Sequence, residues 1–205
     1  MIVSTDSFIE RTNSNKNLTP LTKIKMNILM IILTVIAILI ALLLILALFT
    51  KKEYTIEREI TINKPKQEVF NFIKYLKNQD NYNKWVMMDL NAKKQNKGTD
   101  GTVGFVSAWD SENKRVGKGE EEIKKITEGE RIDLEIRFIK PFEGKADTHM
   151  TTVPVAQNQT KIKWDFSSGM KYPMNIMLLF MDIPGMLGKD LETSLTNLKS
   201  VLEKQ

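Results

Sequence analysis

The chain has 205 residues, 42% hydrophobic and 27% charged, with 30 Lys and Arg against 25 Asp and Glu for a net charge of +5. It contains no cysteine and a single histidine, which excludes disulfides, a cysteine nucleophile, thiolate metal sites and any metal centre built on several imidazoles. Charges of both signs are interspersed instead of gathered into a basic stripe, which argues against nucleic acid as a partner.

Residues 1–27 are polar, with Ser4, Thr5, Ser7, Thr12, Asn13, Ser14 and Asn15 offering little to pack, and are read as a disordered tail. Residues 28–50 are then read as a transmembrane helix. From Ile28 to Phe49 there is no charge, Gly or Pro, and Thr34 alone is polar. Such a helix is roughly 33 Å long, against a hydrocarbon core of about 30 Å. A cleaved signal peptide is the alternative, but its apolar core is shorter, and Ala47-Leu48-Phe49-Thr50-Lys51 is a poor cleavage site. The reading is a single-pass anchor with the bilayer as partner. Arg11, Lys16, Lys23 and Lys25 precede the span and Lys51 and Lys52 follow it; the short basic tail favours the inside, with the domain on the non-cytoplasmic side.

Residues 51–205 read as one domain. Tyr54, Ile56, Ile60 and Ile62 alternate with polar residues, a strand with one buried face. Asn63 as a cap and Pro65 in a first turn start a helix carrying Val69, Phe70, Ile73 and Leu76. Asp80 to Asp89 forms a second short helix or loop holding Trp85. The period then changes to two, broken by turn signals such as Gly98-Thr-Asp-Gly101, Glu128-Gly129-Glu130 and Pro141-Phe-Glu-Gly144, for six further strands in a meander. Leu187, Leu191, Leu195, Leu198 and Leu202 then line one stripe of a long final helix. The fold class is α+β: seven antiparallel strands around a long C-terminal helix, preceded by one transmembrane helix. One helix about 10 to 12 Å wide cannot fill the concave face of such a sheet, which predicts an internal cavity.

The succession Ile60-Thr-Ile-Asn-Lys-Pro65, Glu68-Val69-Phe70, Trp85, Gly117-x-Gly119, Ile132-x-Leu134-x-Ile136-x-Phe138, Lys140-Pro141-Phe142, Thr160-Lys-Ile-Lys-Trp164 and Leu195-x-x-Leu198-Lys199-x-x-Leu202-Glu203 resembles the START-like helix-grip superfamily (SRPBCC, Bet v1/START-like). More narrowly it is similar to the bacterial polyketide cyclase/dehydrase and lipid-transport group. The resemblance spans residues 54 to 204 and implies a hydrophobic ligand cavity under the long helix. It does not imply one reaction.

Strand parity nominates the residues that see the cavity. Val103, Phe105, Ser107 and Trp109 share one face; Gly117, Gly119, Glu121 and Ile123 share another. If Ile123 points inward, so does Glu121, where desolvation raises its pKa and suits it to hold a polar head group or donate a proton. The alternative is that Glu120, Glu121 and Glu122 form a solvated edge. Glu121 is the only catalytic candidate. His149 falls on the outer face with Asp147 and Thr151, opposite to Ala146, Thr148, Met150 and Thr152. The expected ligand contacts are Trp85, Phe105, Trp109, Glu121, Ile136, Phe138, Met150, Trp164, Met177 and Met181, each with core packing as the plain alternative. Met170, Met174, Met177, Met181 and Met186 give a Met-rich wall. No metal and no cofactor is expected.

The leading functional reading is a membrane-anchored domain that binds a lipid or other hydrophobic small molecule. The rival is a cyclase or dehydratase acting on an aromatic or polyketide-like substrate through Glu121. A third is a scaffold for protein contacts, which requires a large exposed apolar patch. Tyr54 follows Thr50 so closely that, at most about 3.5 Å per residue, the link holds the domain within roughly 15 to 20 Å of the bilayer.

Overall fold

The computed structural model describes residues 20–204, and the chain divides into two units after Phe49. The first contains helix α1, Pro20–Phe49, of which Lys25–Phe49 is long and apolar enough to cross a membrane. Thr34 donates its hydroxyl to the carbonyl of Met30 at 2.8 Å, so the lone polar side chain of the apolar run is satisfied within the helix. The helix begins earlier than the apolar run suggests, so residues 20–27 of the expected disordered tail are helical. Proline at a first helical position forfeits no hydrogen bond, which makes Pro20 a natural start. The remainder of that tail, residues 1–19, lies outside the described residues.

The second unit holds strands β1 (Glu53–Ile62), β2 (Lys93–Lys97), β3 (Val106–Asp110), β4 (Lys118–Thr127), β5 (Arg131–Lys140), β6 (Gly144–Ala156) and β7 (Gln159–Gly169). Its main helices are α2 (Lys66–Ile73), α3 (Lys84–Met87), α4 (Met177–Phe180) and α5 (Ile183–Glu203), with 3₁₀ turns at Leu76–Asn81 and Met174–Ile176. The seven strands form one antiparallel sheet in the order β1-β7-β6-β5-β4-β3-β2. Strands β2 to β7 are the expected meander, and β1 closes onto β7 from Glu53 opposite Gly169 to Ile62 opposite Thr160. Asn63 does not cap α2. Its side-chain oxygen accepts from Gln159, and Pro65 takes the cap position, its carbonyl accepting from the Glu68 and Val69 amides.

Period-two patterning puts Ile132 and Leu134, Ala146, Thr148 and Met150, and Ile162, Trp164 and Phe166 on the buried face. Leu191, Leu195, Leu198 and Leu202 of α5, at helical spacing, complete this core with Val69, Phe70 and Ile73 of α2. Asp182 caps α5 by accepting from the Gly185 amide, and Pro184 lies in its first turn. The helix runs along β1. Arg58 Nε donates to Glu192 at 2.6 Å, Lys199 donates to the Thr61 carbonyl at 2.8 Å, and the Asn63 amide donates to Glu203 at 2.7 Å. Arg58 shares the inward face of β1 and fits because Gly188 is bare: a Cβ there lies 2.3 Å from its guanidinium.

Leu198 is completely buried, so its truncation combines lost transfer energy with a void. Leu198→Ala is expected to lower the stability of residues 50–205 by about 2–5 kcal/mol in urea unfolding, with an unchanged dependence on denaturant.

Candidate functional site

Since α5 follows β1, the other half of the sheet is covered by the segment from Leu76 to Ala92. A cavity of about 300 Å³ remains between that segment and strands β2 to β5, with one residue of β7. Its apolar walls include Trp85, Val86, Trp109, Ile136, Phe138 and Phe166, and Leu187 is the only contribution from α5. The cavity therefore lies beside the long helix, not under its length as the resemblance implied. The leucine stripe packs tightly against core residues, whereas two short helical turns cannot interlock with the sheet in that way.

The covering segment is held by defined polar contacts. Asp100 accepts from the backbone amides of Leu76 at 2.8 Å and Lys77 at 3.1 Å, starting the 3₁₀ turn. Asn83 caps α3 by accepting from the Trp85 amide at 3.0 Å. On the α5 side, Trp85 Nε1 donates to Asp190 at 3.2 Å, Lys84 pairs with the same carboxylate, and the Lys84 amide donates to Ser194 at 3.0 Å. Trp109 forms another wall. A Cβ on Gly119, its cross-strand partner, falls 2.6 Å from the indole, so only glycine lets the ring lie across β4.

Glu121 sits at the polar end of the cavity and is 8% exposed. Gln79, also buried, donates from Nε2 to Glu121 Oε2 at 2.8 Å, and Asn83 donates to Gln79 Oε1 at 2.7 Å. Burial raises the Glu121 pKa from 4.5 to about 7; the Gln79 hydrogen bond opposes this and the Asp100 charge adds to it. The flanking glutamates point the other way: Arg137 donates to Glu120 at 2.6 Å and to Glu122 at 2.8 Å on the outer face. The three glutamates thus form no common edge; the pleat separates them. The mouth of the cavity is charged, carrying the paired Asp80 and Lys94 together with Arg115.

Of the expected ligand contacts, Trp85, Trp109, Glu121, Ile136 and Phe138 line the cavity. Phe105, Met150 and Trp164 do not; they are buried in the core, where the Tyr82 ring stands at 68° against Trp164 and its hydroxyl faces Met150. Met177 and Met181 do not line it either. They lie in the connection from β7 to α5, past the end of the sheet, where Met181 is 42% exposed. Val103, expected inward, is 60% exposed because β3 begins only at Val106. His149 is on the outer face with its Nδ1 2.5 Å from Asp165. No cluster suited to a metal ion occurs among the described residues. Gln79 and Asn83, which complete the polar end, were missed by sequence reasoning because they lie where no period exists to assign a face.

No protein-family model matches the chain, and no curated protein does. Among solved structures it is similar to truncated norcoclaurine synthase from Thalictrum flavum, with a TM-score of 0.55 at 12% identity over 75% of this chain and 95% of that one. It is similar as well to a protein from Mesorhizobium loti, TM-score 0.55 at 14% identity over 74% and 98%, and to Ara h 8.0201, TM-score 0.51 at 14% identity over 75% and 99%. These likenesses show the fold, which is Bet v1-like.

The raised Glu121 pKa has a thermodynamic consequence. Between pH 4.5 and about 7 the folded state holds a proton that the unfolded state has lost, so stability falls as pH rises through this window. Glu121→Gln removes this slope. The variant is expected to gain on the parent between pH 5 and pH 8 by an amount on the order of 3 kcal/mol at most, read by urea unfolding of residues 50–205 at both pH values.

Proposed function

We propose that this chain is a membrane-anchored protein whose domain binds a small hydrophobic molecule carrying one polar group. The observation that carries the reading is a buried carboxyl at one end of an otherwise apolar cavity. Trp85, Trp109, Phe138 and Phe166 receive the apolar body, and Glu121 meets the polar group. A volume of about 300 Å³ is at the low end for small-molecule sites and suits a compact ligand or a single chain better than a two-chain lipid. A structural neighbour supports a compact, aromatic-sized ligand: a norcoclaurine synthase structure, TM-score 0.54 at 14% identity over 78% of this chain and 91% of that one, is described in complex with dopamine and hydroxybenzaldehyde.

In this reading α1 is retained as the anchor, and the basic tail before it favours the non-cytoplasmic side for the domain. The bilayer is then the reservoir from which a hydrophobic ligand is drawn.

A second reading, a cyclase or dehydratase of the polyketide cyclase-like kind, is favoured by one observation. A carboxyl with a pKa of about 7 can give or take a proton near neutral pH. Glu121 would then act as acid or base. Under that reading Glu121→Gln abolishes turnover of an aromatic substrate while leaving its binding intact; under the leading one no turnover is found.

The cavity is tested with 1-anilinonaphthalene-8-sulfonate and residues 50–205. The dye is anionic, so its affinity is expected to drop several-fold as pH rises through about 7 and Glu121 ionises, and Glu121→Gln should flatten that dependence. Ser107→Phe, which puts a phenyl ring into the cavity, should weaken dye binding several-fold without lowering the melting temperature. Unchanged binding in Ser107→Phe would remove the cavity as the site.

A further inference from the structure

The strand register sorts the domain into two ends. At one, Glu53 of β1 lies opposite Gly169 of β7, Ala146 opposite Ser168, and Phe138 opposite Gly144. Lys118 is opposite both Asp110 and Lys140. Three features therefore share this end: the chain entering from Thr50, the turn between β5 and β6, and the connection from β7 to α5. The same end exposes large apolar side chains: Phe142 in the turn (73%), Tyr172 (43%), Leu179 (58%), Phe180 (70%) and Met181 (42%) in the connection, and Met186 (58%) in the first turn of α5. That connection is tied to the entering chain, with the Met170 amide donating to the Lys52 carbonyl at 2.8 Å and Asn175 Nδ2 to the Thr50 carbonyl at 3.1 Å.

We infer that this end is a second membrane contact, in which Phe142 and the segment Tyr172–Met186 dock into the interfacial layer of the bilayer. The inference rests on the anchoring reading above. The occupant is lipid because Thr50 follows Phe49 directly: the apolar cluster is fastened by hydrogen bonds to the residues that leave the membrane-crossing helix. Exposed lysines at this end, Lys51, Lys52, Lys140 and Lys171, suit the headgroup region, with Glu53, Glu143 and Asp182 opposing them. Aromatic and Met side chains flanked by lysine are the composition of an interfacial segment.

The cavity has lining residues at this same end. Arg115 and Val116 on its rim belong to the loop between β3 and β4, whose closing pair is Asp110 and Lys118. A ligand then passes between acyl chains and cavity with a short aqueous path.

The chain lacks cysteine, so single cysteines can be placed freely. Phe180→Cys and Phe142→Cys in the full chain are labelled with an environment-sensitive fluorophore and reconstituted in phosphatidylcholine vesicles. Val155→Cys, exposed near the hairpin at the opposite end, is the control. The first two labels are expected to shift to the blue and to be quenched several-fold more than the control by lipid brominated in its acyl chains. Quenching no greater than at Val155→Cys overturns the proposal, as does quantitative cross-linking of Phe180→Cys to a second copy, which makes the patch a protein interface. Alkaline carbonate extraction separates the two readings. Protein that stays with the membrane while both labels remain unquenched defeats the docking contact alone; protein that is extracted defeats the anchor and the contact together.

Discussion

A seven-stranded sheet offers more apolar face than one helix can cover, and the rest of the structure follows from how that shortage is met. α5 is committed to the β1 side by its leucine stripe and by the contacts of Glu192, Lys199 and Glu203 with β1 and its end. The β2 to β5 side is left to a segment with one 3₁₀ turn and the four-residue α3. Such a segment orders its backbone through side-chain caps more than through packing, so it spans the sheet without filling the space beneath. The cavity is the residue of that mismatch, which is why Trp and Phe side chains, the largest available, form its walls.

The polarity of the cavity end is fixed by a chain of donors. The Trp85 amide can only donate, so the oxygen of Asn83 must face it; the Asn83 amide then donates to the Gln79 oxygen, and Gln79 has only its NH₂ left for Glu121. This favours the carboxylate, yet desolvation outweighs one neutral hydrogen bond and the pKa still rises to about 7. The outcome is a carboxyl close to balance between its two forms, with neither an arginine to hold it ionised nor a fully apolar wall to keep it neutral. Arg137 takes Glu120 and Glu122 on the opposite face, so one cation sets the character of the outer surface while leaving the inner carboxyl alone.

Residues under strict periodicity were legible in the sequence. Ile132, Leu134, Ile162 and Leu191, Leu195, Leu198 and Leu202 of α5 are buried as their spacing required, because alternation and helical stripes follow from pleat and pitch, which hold whatever surrounds them. Glu121 was legible only as a conditional, resting on Ile123, since three adjacent glutamates read equally as a wet edge. The pleat separates them, and the partner that holds Glu120 and Glu122 on the outer face, Arg137, is fifteen or more positions away and on another strand. Gln79 and Asn83 sit in irregular backbone where no rule assigns a face. Met177 and Met181 failed for the opposite reason: composition suggested a flexible wall, but composition carries no position, and the residues lie past the end of the sheet.

That misplacement is informative about the domain as a whole. Scattered exposed apolar residues are ordinary on a soluble surface, and Val153 and Val155 near the far hairpin are of that kind. Phe142, Leu179, Phe180 and Met186 are larger, and each forgoes about 1.5–3 kcal/mol of burial that a purely aqueous fold has reason to recover. They come from two stretches far apart in sequence, brought to one end by the register alone. The same register brings the chain from Thr50 and the rim residues Arg115 and Val116 to that end. An exposed apolar end beside a cavity rim is a liability in water and an advantage against lipid, and that contrast is the physical basis of the proposed docking contact.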